Sequence, residues 1–74
     1  MIEMTIAELE LGKGAIIRAI EGDPLMNNQL QELGFTPGCE VKLVSRGPFR
    51  DPLAFTIRGT TIALRKAEAA VIKI

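Results

Sequence analysis

With a single cysteine, Cys39, and no histidine, a chain of 74 residues has neither a disulfide nor an ordinary zinc cluster to hold itself together. A domain without such staples closes around its apolar side chains alone. At this length folding buries only about 60% of the unfolded surface, so one core uses nearly all the apolar residues and a single domain spanning 1–74 is expected. Apolar residues make up 47% and charged residues 24% of the chain, a globular balance that does supply such a core.

The same counts exclude chemistry. Without histidine the commonest general base and the commonest transition-metal ligand are both missing, and no Asp or Glu cluster stands at ligand spacing. No enzyme, no cofactor and no metal site are expected. Nine basic against nine acidic residues leave a formal net charge of zero, which gives no broad field to gather phosphate backbones or anionic lipid. Nucleic acid is therefore disfavoured as a partner. Apolar runs such as Ala69 to Ile72 reach only four residues, against about 18 for a membrane span, and the N-terminus has no basic stretch of an export signal. With one unpaired thiol, the expected home is the reducing cytoplasm.

Local patterns give a mainly β reading. Thr5 followed three residues later by Glu8 predicts a short N-terminal helix opened by a capping box. Ala15 to Ile20 reads as a strand. Asp23-Pro24 predicts the start of an amphipathic helix, because Asp accepts from the free N–H groups of the first turn and Pro at its first position loses no bond. Met26, Leu30 and Leu33 share one side of that helix, Asn27, Asn28, Gln31 and Glu32 the other, and Gly34 stops it. Pro37-Gly38 fits a type II turn. Val41 to Arg46 and Leu53 to Arg58 alternate with a period of two, Gly59-Thr60 is taken as the next turn, Ile62 to Arg65 completes a hairpin, and a single helical turn precedes a last strand to Ile74. Five short strands with tight turns predict a small closed barrel.

Two places stand out beyond the core pattern. The loop from Arg46 to Pro52 holds two prolines, two guanidinium groups and an aromatic residue with no alternating partner. Arg46, Phe49 and Arg50 are the candidate partner-binding residues, and a Phe49 folded back as a lid on the core is the competing reading. Cys39 follows the Pro-Gly turn, where a small buried hydrophobe is expected more often than a reactive thiol.

The run Leu30-Gln31-Glu32-Leu33-Gly34-Phe35-Thr36-Pro37-Gly38 with Val41, and the closing Ile62-Ala63-Leu64-Arg65-Lys66-Ala67-Glu68-Ala69 with Ile72 and Ile74, resemble the ferrous iron transport protein A (FeoA) family, whose start also matches Thr5-Ile6-Ala7-Glu8-Leu9. The resemblance implies an SH3-like barrel in the cytoplasm that acts, without enzymatic activity, on the FeoB membrane GTPase during ferrous iron uptake. The pattern is also similar to the C-terminal domain of DtxR-type metal-dependent repressors, the alternative reading as a regulatory module. With no helix-turn-helix ahead of it, the chain is expected to serve the transporter. Self-association is left open by the sequence.

Overall fold

The computed structural model describes residues 4–74; the first three residues, part of the segment read above as carrying no export signal, lie outside that range. Ile6–Glu8 form one 3₁₀ turn. Glu8 Oε1 accepts the Thr5 N–H at 2.9 Å and the Thr5 hydroxyl at 3.2 Å, so the acidic residue caps the turn as its spacing suggests. The turn delivers Ile6, Ala7 and Leu9 into the core.

Helix α1 spans Pro24–Glu32. Asp23 Oδ1 accepts the Met26 N–H at 2.8 Å, and Gly34, at φ 111°, ends the helix as expected. Leu30 is buried, with Met26 partly buried against the core one turn earlier. Leu33 departs from its expected core position: it stands 49% exposed at the C-cap. The glycine reverses the chain, the Phe35 N–H returns to the Leu30 carbonyl at 3.0 Å, and the fully buried Phe35 occupies the core instead.

Six strands follow one another among the described residues: β1 Gly14–Ile16, β2 Ala19–Ile20, β3 Glu40–Arg46, β4 Leu53–Ile57, β5 Thr60–Leu64 and β6 Ile72–Lys73. They form an antiparallel sheet in the order β1-β3-β4-β5 and a separate antiparallel pair β2-β6. The expected strand from Ala15 to Ile20 is thus two strands, and the expected closed five-stranded barrel is six strands in two sheets that hydrogen bonds do not close. The mainly β class with one amphipathic helix holds. The break falls between Ile17 and Arg18. The Ile17 N–H bonds the Cys39 carbonyl at 2.9 Å, whereas the Arg18 N–H bonds the Lys73 carbonyl at 2.7 Å, so the backbone changes partner between adjacent residues. Such a corner lets one continuous segment serve two sheets packed across the same core.

Strand β4 carries that core. Leu53, Phe55 and Ile57 are buried, with Phe55 opposite Leu43 and Ile57 opposite Val41 of β3. Phe55 meets Phe35 edge to face, with ring centroids 6.4 Å apart and planes at 87°. The β4–β5 turn lies one residue earlier than the sequence suggests. Ile57 pairs with Thr60, and Arg58 and Gly59 take φ of 51° and 79°, the two-residue hairpin with left-handed backbone at both positions. The single helical turn α2, Lys66–Ala69, is capped by Glu68 Oε1 accepting the Arg65 N–H at 2.7 Å. The two ends of the described chain meet: Thr5 bridges Lys73, and the Ile74 N–H donates to the Met4 carbonyl at 3.0 Å.

Candidate functional site: a tethered loop and a thiol groove

The β3–β4 connection projects Phe49. Pro48–Arg50 make one turn in which Phe49 has φ 57° and ψ 29° and Arg50 has φ 62°. Left-handed backbone at a residue with a Cβ costs roughly 1 to 2 kcal/mol, so two in succession require support from outside the turn. Three ties supply it. The Gly47 N–H donates to the Pro52 carbonyl at 2.7 Å and closes the neck. Arg50 Nη2 donates to the carbonyls of Leu9 at 3.2 Å and Ala7 at 3.4 Å, fastening the loop to the N-terminal segment. Asp51 fastens the other side, with Oδ2 accepting from Arg65 Nη2 and Oδ1 from the Lys66 N–H, both at 3.1 Å. The second contact also satisfies a free donor at the start of α2.

Phe49 itself is 96% exposed, so the lid reading does not describe it. The three candidate residues share this one loop but differ in posture. Arg46 is exposed at the neck, opposite Leu53 in the β3–β4 register, while Arg50 is half-buried with its guanidinium turned inward onto backbone carbonyls. Other polar side chains also have internal work: Asn27 Oδ1 accepts the Gly22 N–H at 2.9 Å, and Arg65 holds Asp51.

A second arrangement involves Cys39, which is half-buried. Its sulfur lies 3.0 Å from Thr36 Oγ1, 3.0 Å from Arg58 Nη2 and 3.3 Å from Arg58 Nε. The hydrogen bond with the Thr36 hydroxyl first, and then those from the Arg58 guanidinium, hold the thiol below its usual pKa because they favour the charged form. The thiol borders a groove of about 500 Å³ on the outer sheet face, lined by Cys39, Glu40, Lys42, Thr56, Arg58 and Gly59. The buried hydrophobe expected at Cys39 is therefore a polar, partly accessible sulfur. Placing the hairpin turn at Arg58-Gly59 would have been the signal, since it sets Arg58 on the same sheet end as Cys39.

Because a folded-state pKa that is lowered keeps the thiolate populated at lower pH, alkylation of Cys39 by iodoacetamide is expected to rise at lower pH than for an ordinary thiol. Thr36→Val and Arg58→Gln should each move that rise to higher pH. A rate profile identical in the native and variant chains would contradict the assignment. Among the described residues no group of three or more Cys, His, Asp or Glu side chains could hold a metal ion, and no helix is long and apolar enough to cross a membrane.

A family model described as the FeoA domain matches residues 4–74. The chain belongs to the FeoA domain family. Among its relatives is an Fe(2+) transport protein A/Fe(2+) transporter FeoB fusion protein of Porphyromonas gingivalis, 32% identical over 71 residues. That alignment covers 96% of this chain and 8% of the relative, so the chain spans a small part of the fused protein. FeoA of Stenotrophomonas maltophilia, solved in complex with zinc and described as a prokaryotic SH3 domain protein, is 34% identical, with a TM-score of 0.82 over 93% of this chain and 86% of that one. The SH3-like class implied by the sequence resemblance is thereby established for the fold. A manganese-dependent transcriptional repressor superposes with a TM-score of 0.86 at 18% identity over 97% of this chain and 40% of the repressor, a likeness of fold alone.

Proposed function

We propose that this FeoA-family chain is a single cytoplasmic accessory unit of ferrous iron uptake, without catalysis of its own, that docks on the cytoplasmic part of a FeoB-type GTPase transporter and supports or regulates it. The supporting observation is the near full-length correspondence with the FeoA portion of a protein in which that portion is covalently joined to FeoB. Joining two modules in one chain raises their effective concentration, an arrangement that favours partners whose contact is functional. A chain of zero net charge suits recognition of a protein surface better than of nucleic acid. In this reading Arg46, Phe49 and Arg50 contribute through the tethered loop, Phe49 by contact and Arg50 by holding the turn.

Titration calorimetry of the full chain against the cognate transporter in nanodiscs tests the proposal, together with ferrous iron uptake in a strain lacking the gene. Saturable binding and impaired uptake are expected. Absence of binding alongside normal uptake would refute it. The likeness to the manganese-dependent repressor keeps one alternative, a regulatory module acting with a DNA-binding chain. Capture of a helix-turn-helix protein in place of the transporter would favour that alternative.

A further inference from the structure

We infer that the loop from Gly47 to Pro52 is a docking arm whose tip, Phe49, enters an apolar socket with a carboxylate-bearing rim on a different protein; this deepens, and rests on, the docking reading above. The other two phenylalanines, Phe35 and Phe55, are fully buried, whereas Phe49 remains in water. A mobile loop could relieve that exposure by folding Phe49 onto the protein, but this loop is fixed from both sides by Arg50 and Asp51 and turns through two left-handed residues. An aromatic side chain with few rotatable bonds on a pre-ordered support loses little freedom on binding, the combination found at interface anchors.

Charge specifies the socket's rim. Arg46 stands exposed at the neck, and among the described residues its side chain has no ion-pair partner. Arg65 lies on the flank through its bond to Asp51, with its own side chain 67% exposed. An apolar pocket edged by carboxylates complements an aromatic tip with guanidinium groups behind it. The groove of a second copy is a poorer match, because its walls set the cations Lys42 and Arg58 against the one carboxylate of Glu40. A single exposed aromatic on a chain of zero net charge lacks the stacked platform and basic track of a single-strand binder.

The experiment uses the full chain and the cognate transporter in nanodiscs, with empty nanodiscs and vesicles of phosphatidylethanolamine and phosphatidylglycerol alongside. Phe49→Ala is expected to weaken binding about 30-fold while leaving the thermal melt unchanged, and Phe49→Leu should retain part of the affinity. Arg46→Glu should weaken binding about tenfold and flatten its salt dependence, with Arg46→Lys close to native. If the native chain binds and Phe49→Ala stays within twofold of it, the arm is overturned while docking stands. If the native chain does not bind, both fall. Equal Phe49-dependent binding to protein-free vesicles would assign the tip to lipid, and loss of a self-associated species in Phe49→Ala would assign it to a second copy; either overturns the socket.

Discussion

Phe55→Ala is expected to remove about 3 to 5 kcal/mol of unfolding free energy, read by urea denaturation followed by circular dichroism. Domains carry roughly 0.05 to 0.15 kcal/mol per residue, so this chain has on the order of 4 to 11 kcal/mol in all, and the variant loses between about a third of that stability and the whole of it. The expectation rests on position. Strand β4 is hydrogen-bonded on both sides, by β3 and β5, and Phe55 fills the space between Leu43 and the edge-facing ring of Phe35. Truncation leaves a cavity that a strand paired on both edges cannot collapse into without breaking its register. Leu33→Ala supplies the contrast, with an expected loss below about 1 kcal/mol because half of that side chain is already in water. A Phe55→Ala variant that melts within a few degrees of the native chain would show that the core is centred elsewhere.

Gly47→Ala acts on the loop. A Cβ at this position would lie 2.8 Å from the Asp51 carbonyl oxygen and 2.9 Å from Pro52 Cδ, closer than side-chain carbons come to such atoms. Neither is the free end of a flexible side chain, so the neck must widen and its bond from the Gly47 N–H to the Pro52 carbonyl must lengthen. The expected cost is about 1 to 3 kcal/mol. Amide shifts from residue 47 to 52 should move together, and Arg50 should lose its hold on the Leu9 carbonyl. On the docking proposed above, transporter affinity should fall as well, because Phe49 is no longer held in one direction. Unchanged stability and unchanged amide shifts would mean that the neck is looser than its geometry indicates.

The features legible in the sequence were those fixed by neighbours along the chain. Asp23-Pro24 opens a helix and Gly34 closes it for reasons contained in those residues, and the alternation of Leu53, Phe55 and Ile57 states which face of β4 is buried. What escaped was set by neighbours across the fold. Ile17 and Arg18 differ in strand partner because β3 begins beside one and β6 ends beside the other, which no local pattern records. Leu33 keeps the helical period but sits where the chain already turns toward Phe35, so periodicity alone places it on the wrong side of the boundary. At the hairpin the sequence pattern predicts Gly59 as the first turn residue, whereas it is the second and Arg58 carries the other left-handed position. That one-residue offset also hid the guanidinium beside Cys39. For Phe49 the sequence singles out the loop and leaves the direction of the ring open, since anchor and lid share a composition and only the ties from Arg50 and Asp51 separate them.

The meeting of Met4 with Ile74 bears on how such a unit can be built into larger polypeptides. A backbone that goes in at one of these residues re-emerges beside the same spot, like a bead hung on a loop of thread. Splicing of this kind adds a pendant without prying apart the host on either side, and it leaves the opposite surfaces of the bead free to turn toward whatever lies within the thread's reach.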